Sequence, residues 1–182
     1  MDKQSITLLS CDHFEKDITD CIAEDIRREF HSAVIFQEYN IELSIYYNPR
    51  RRQYDANGIL QAISSITSKS PTKTIALFRV DLFVPILTYI FGQAFLNGKT
   101  AIASLHRLRN ELYGLEQNNT LLVNRFRKVV IHELGHTFGL IHCQNPICVM
   151  RSSTYVEDID QKEIHFCTHC NKILKQRFNE TT

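Results

Sequence analysis

The chain has 182 residues, 43% hydrophobic and 23% charged, enough for one substantial core and too apolar for a disordered or fibrous chain. Its 21 basic and 20 acidic residues leave a net charge of +1, which gives no global reason to expect nucleic acid or an anionic membrane as partner. Six Cys and eight His are the unusual items.

The N-terminus has no apolar run of signal-peptide length. The most apolar stretch, Val80 to Phe95, is interrupted by Asp81, Pro85, Gly92 and Gln93 and is too short to span a bilayer. A soluble, cytoplasmic protein with reduced cysteines is expected.

Ser5 to Leu9 reads as a first strand. Asp12 and Glu15 resemble a capping box, and Phe14, Ile18, Ile22 and Ile26 recur at helical spacing, so a helix is expected over Phe14 to Phe30. Ala33 to Phe36 reads as a second strand, and Ile41 to Tyr47 alternates as an extended segment would. Pro49 to Arg52 is a turn with a charge cluster. Asp55 caps a helix carrying Ile59, Leu60, Ile63 and Ile66. Thr74 to Val80 is nearly continuous in apolar residues, as in a buried strand. Tyr89 to Phe95 and Thr100 to Leu108 are strands joined by the hairpin signal Asn97-Gly98. A long helix begins near Asn119, and Asp160 with Glu163 opens a final helix lined by Ile164, Cys167, Leu174 and Phe178. This order implies an α/β (α+β) fold with a mixed sheet, followed by a small C-terminal lobe. The whole chain, 1–182, is expected to form one domain, with subdomains 1–138 and 139–182.

Residues His132 to His142 read HExxHxxGxxH. On a helix, His132 and His136 share a face and can aim both imidazoles at one point. Gly139 lets the chain leave the helix at positive φ and bring His142 back to that point. Three neutral histidines suit a catalytic zinc with one open position. Glu133, rotated about 100° from His132, can accept a proton from metal-activated water and pass it to the leaving amine. The competing reading is that these are ordinary surface or capped helix residues. The extended motif, on an independently expected helix, weighs against it.

Cys143 follows His142, Cys148 comes after a four-residue loop, and Cys167-x-x-Cys170 follows after 18 intervening residues. This is the spacing of a structural four-thiolate zinc. Two disulfides, buried free thiols, or His165 or His169 replacing a thiolate are the alternatives. Two zinc ions per chain are therefore expected, one catalytic and one structural. Met150 reads on its own as an ordinary core residue; the motif beside it makes it the candidate to pack beneath the catalytic metal, as in a Met-turn.

These features resemble the signature of the archaemetzincins: HExxHxxGxxHC, a second Cys, Cys-x-Met and Cys-x-x-Cys. Met150 and Cys167 are separated by 16 residues, one fewer than is usual in that family. Arg51-Arg52-Gln53-Tyr54, Asp81-Leu82-Phe83-Val84 and Phe91-Gly92-Gln93-Ala94 are similar to the family's upstream segments. The resemblance implies a zincin/metzincin-like metalloprotease fold, Glu133 as base, zinc on His132, His136 and His142, and structural zinc on the four cysteines. It also implies an edge strand that pairs with extended substrate, for which Thr100 to Leu108 is the candidate. The function expected is a zinc-dependent metallopeptidase acting on peptide or protein substrates, with no nucleic acid or membrane partner and no stated oligomeric state. The alternative is a catalytically silent, zinc-containing peptide-binding protein on the same scaffold. A nucleic-acid-binding zinc knuckle rests only on Arg50, Arg51, Arg52 and a basic tail.

Overall fold

A computed structural model describes residues 5–180, the last two by their backbone alone. Strand β1 (Ile6–Ser10) is followed by helix α1 (Lys16–Phe30) and strand β2 (Val34–Glu38). Two short strands, β3 (Tyr47–Asn48) and β4 (Gln53–Asp55), lead into helix α2 (Ala56–Ile66). Strands β5 (Lys73–Phe78), β6 (Leu82–Phe83), β7 (Gly92–Ala94) and β8 (Thr100–Ser104) follow, then helix α3 (Asn119–Thr137). Helices α4 (Val156–Asp160) and α5 (Thr168–Glu180) complete the order.

The main sheet has the order β2-β1-β5-β8-β7. Its first four strands are parallel and β7 runs antiparallel to β8, so the sheet is mixed. Alternation along each strand feeds two cores. Ile75 and Leu77 of β5 join Ile22, Ile26, Phe126 and Val130 from α1 and α3 on one face. Ala76 and Phe78 join Ile59, Leu60 and Ile63 of α2 on the other. Phe30 at the end of α1 stacks on Phe138 (ring centroids 4.9 Å apart) and meets Phe166 edge-on (5.5 Å). Three segments distant in sequence therefore close on one aromatic contact.

Several expectations need correction. Asp12 and Glu15 form no capping box: α1 starts at Lys16, and Glu15 makes no side-chain cap. Instead the Arg79 main-chain N–H donates to Asp12 (2.6 Å) and its guanidinium to Glu15 (2.6 Å). Both acids thus tie the start of α1 to the end of β5.

Ile41 to Tyr47 is not extended throughout. Leu43–Tyr46 forms a 3-10 turn, where the Glu42 carboxylate accepts from the Ser44 N–H and hydroxyl. Such local side-chain bonds compete with strand pairing. Asp160 does not open the last helix. It ends α4 and pairs with buried Arg125 (2.6 Å), while α5 starts at Thr168.

The expected edge strand is also corrected. Thr100–Ser104 lies between β5 and β7, and the chain turns into a 3-10 segment at His106–Leu108. The hairpin puts the earlier strand outside, so β7 is the edge.

Candidate active site and metal centres

The C-terminal half of α3 is buried, with Val130 and Leu134 in the core and Asn97 donating its N–H to His136 O (2.8 Å). The helix ends in paired bonds: Gly139 N–H to His136 O (2.9 Å) and Leu140 N–H to Gly135 O (3.1 Å). This Schellman arrangement needs a left-handed residue after the cap, and Gly139 supplies it at φ 82. The chain then reverses and carries His142 back towards His132 and His136.

The orientation of two histidines is set by main-chain carbonyls. His132 Nδ1–H donates to Val149 O (2.8 Å) and His136 Nδ1–H to Leu140 O (2.7 Å). Each Nε2 is thereby left as an acceptor, the form a metal requires. The two Nε2 atoms are 3.1 Å apart, and the three histidines offer ligand atoms all within 4.8 Å of one another. Two imidazoles on one tetrahedral zinc would stand about 3.3 Å apart. Burial lowers the pKa of His132 well below the usual histidine range, with Lys162 and His136 adding to the effect. Burial likewise lowers His136 and His142. All three are held neutral, as ligands must be.

Glu133 is 7% exposed and lines the same cavity of about 660 Å³ as the histidines. Burial pushes its pKa up to about 8 against the pull of Lys162. A dication on the histidines would pull it back down.

Glu133 packs against the edge strand. A Cβ at Gly92 would lie 2.6 Å from Glu133 Cγ and 2.7 Å from Ile102 O. Gly92 is therefore required by close approach, which a lone glycine in a strand signals only weakly. Beneath the helix, fully buried Met150 puts its Sδ 2.5 Å from where a Gly135 Cβ would stand.

The cysteines form a second cluster. Cys143 and Cys167 Sγ are 3.7 Å apart, and Cys148 and Cys170 Sγ 3.8 Å. Two thiolates on one tetrahedral zinc stand about 3.8 Å apart, whereas a disulfide is about 2.0 Å. All four sulfurs lie within 4.8 Å of one another, all are free, and neither His165 nor His169 joins them. His165 instead pairs with Glu29 (2.7 Å). The N–H groups of Asn145 and Cys167 donate to Cys143 and Cys148 sulfur (3.4 and 3.3 Å). Burial raises the Cys148 and Cys170 thiols. Burial also works to raise Cys167, but hydrogen bonds from the Cys170 main chain and nearby thiols bring it to about 7. Four thiolates this close need a cation among them, so the donor set fits a metal.

Two other residues changed meaning in three dimensions. Arg51 donates to Leu87 O (2.6 Å) and Thr88 O (3.1 Å) and lies over the Phe83 ring, 4.3 Å from its centroid. It pins the loop over the cavity rather than forming an open basic patch. Lys162, unremarked in the sequence, is 5% exposed and lines the cavity. Among the described residues, no helix is long and apolar enough to cross a membrane.

The chain matches peptidase family M54 over residues 6–176. It is 37% identical over 164 residues to the archaemetzincin of Methanocaldococcus jannaschii, covering 88% of this chain and 89% of that one. Its structure is similar to the crystal structure of archaemetzincin from Methanopyrus kandleri (TM-score 0.85, 29% identity, 98% and 97% of the two chains). It is also similar to that of a zinc-dependent peptidase from Methanocorpusculum labreanum (TM-score 0.84, 28% identity, 93% and 99%). The mixed α/β fold, the paired donor clusters and these likenesses agree: the chain belongs to peptidase family M54, the archaemetzincins, and is a zinc metallopeptidase of that family.

Proposed function

We propose that His132, His136 and His142 hold the catalytic zinc, that Glu133 is the general base, and that Cys143, Cys148, Cys167 and Cys170 hold a second, structural zinc. The observation that carries this reading is the convergence of three neutral imidazoles beside a buried carboxylate on one cavity wall. Zinc, when bound, supplies a Lewis acid that polarises a peptide carbonyl and makes water more acidic. The carbonyls of Val149 and Leu140 hold the imidazoles in the ligand tautomer. Glu133, next to the metal ligands and shielded from bulk solvent, takes a proton from the attacking water and returns it to the leaving amine.

The outer edge of β7 (Gly92–Ala94) offers main-chain groups for an extended peptide, by strand addition. That edge lies against Glu133, so a peptide paired there would present its backbone to the cavity. Met150, under Gly135, is assigned the Met-turn role. Four thiols that must stay reduced to hold a metal fit the cytoplasm.

Metal analysis of the fully loaded protein should find two zinc per chain, and one zinc would sink the two-site assignment. A peptide-library digest should show turnover falling roughly 10²–10⁴-fold in Glu133→Ala, with both metals and the fold kept. Undiminished hydrolysis would remove Glu133 from the mechanism. A wild type that binds library peptides at the cleft without cutting any would favour the silent peptide-binding alternative.

A further inference from the structure

Lys162 is a charged residue on the cavity wall, yet it is only 5% exposed. Its ammonium donates to Val149 O (3.3 Å) and Arg151 O (2.6 Å). An ammonium has three donors, so one remains unused among the described residues. The carboxylates that feel its charge are Glu133 and Asp158. Asp158 is committed to the N–H groups of Thr154 (2.8 Å) and Tyr155 (2.9 Å), and neither acid pairs with Lys162 among the described residues. A buried cation with no carboxylate in hydrogen-bond contact is costly, because such a charge is ordinarily paired directly.

The same wall carries an independent sign of a missing partner. Ser153, which also lines the cavity, has a buried hydroxyl with no hydrogen-bond partner among the described residues. A spare ammonium N–H and an orphan hydroxyl on one wall suit an acceptor that bears negative charge. Val129 and Ile159, both buried, line the cavity too and leave it apolar around these donors. Low-dielectric walls strengthen such a pairing. Charge counting agrees: zinc on three neutral histidines, with Lys162 against the single Glu133 carboxylate, leaves the cavity net positive.

We infer that the wall formed by residues 152–162 is a carboxylate-binding subsite, with Lys162 as its specificity-determining residue. The ligand class is a peptide carrying a carboxylate close to the bond to be cut. That carboxylate is either a free C-terminus, which would make the enzyme an exopeptidase, or an Asp or Glu side chain, which would permit internal cleavage. This inference names the substrate class of the proposed peptidase and rests on that reading.

The test is calorimetric titration of the zinc-loaded full chain with three short acetylated peptides. One has a free C-terminus, one is its C-terminal amide, and one is an amide bearing a Glu side chain. At least one of the acids should bind the wild type about tenfold tighter than the neutral amide. The acid that shows the gain identifies the source of the carboxylate. Lys162→Met should abolish the gain and Lys162→Arg should restore part of it. Equal binding of acids and amide by the wild type overturns the subsite. So does an acid preference that survives in Lys162→Met, because the carboxylate then sits on the metal. Should Lys162→Met not fold, Ser153→Ala carries the test: it should cut the preference about threefold, and an unchanged preference overturns the subsite. Turnover of the same peptides is read in parallel. Lys162-dependent binding without hydrolysis keeps the subsite and removes the peptidase reading. Hydrolysis without acid preference keeps the peptidase and removes the subsite.

Discussion

The histidine and cysteine clusters lie side by side in the chain, joined at His142-Cys143, yet they are built in opposite ways. His132 and His136 stand on a helix that the core already holds, His142 follows its terminal turn, and only the His132 ring takes its orienting carbonyl from a later segment. They run from buried His132 through half-buried His136 to exposed His142, so the cluster opens on the cavity. The cysteines have no such scaffold. Cys143 and Cys148 lie in an irregular segment, Cys167 just precedes α5, and Cys170 lies in its first turn. Open nitrogen ligands on a rigid element suit turnover, whereas a closed set of sulfur ligands suits holding chain segments together. Losing a ligand should therefore damage function at one cluster and the fold at the other.

The largest expected effect breaks that comparison if it fails. Cys170→Ser puts at risk metal-linked folding free energy of order 10 kcal/mol, so its melting temperature should fall by at least about 10 °C. His142→Ala, by contrast, should lose one zinc while melting within about 3 °C of the wild type. Similar melting curves for the two variants under reducing conditions would erase the asymmetry.

A smaller effect sharpens the open site. Gly92→Ala should keep both metals, cost about 1–3 kcal/mol in a denaturant titration, and lower turnover about tenfold or more by displacing Glu133. Wild-type turnover would show that Glu133 tolerates the shift. The smallest effect concerns the floor of the helix. Met150→Leu is close to volume-conserving and should cost less than about 1.5 kcal/mol, with zinc content unchanged. Loss of a metal in that variant would give the thioether a role beyond packing.

Elements with a long period were readable before the structure. Ile18, Ile22 and Ile26 declared α1, and the continuous apolar run of β5 declared a strand buried on both faces. HExxHxxGxxH was legible because helix geometry and one glycine bring its histidines together. The failures share a cause. Ile41 to Tyr47 and the Asp160 segment were decided by side-chain bonds that hydrophobic periodicity does not register, a local one from the Ser44 N–H to Glu42 in the first and a distant one from Arg125 to Asp160 in the second. The edge strand was misassigned because a hairpin does not say which of its strands faces outward. Gly92 and Lys162 were missed because each is a single residue whose role comes from what tertiary folding brings against it. A lone glycine in a strand could have hinted at the first, whereas Lys162, flanked by Asp160, Gln161 and Glu163, reads as one more residue of a charged surface stretch.

The carbonyl of Val149 sets an order of assembly. His132, His136 and His142 lie within one short stretch and can meet as soon as α3 and its terminal turn form. The acceptor that fixes the His132 tautomer comes from 17 positions further on, in a segment held by Cys143 N–H donating to Met150 O (2.9 Å). Val149 in turn donates its own N–H to His165 O (3.0 Å), and His165 pairs with Glu29 at the end of α1. Contacts this distant in sequence close late in folding, after the loop entropy between them has been overcome. A chain that has formed only α3 and its terminal turn can thus gather its histidines and orient His136 on Leu140 O, while His132 waits for the segment that carries Val149.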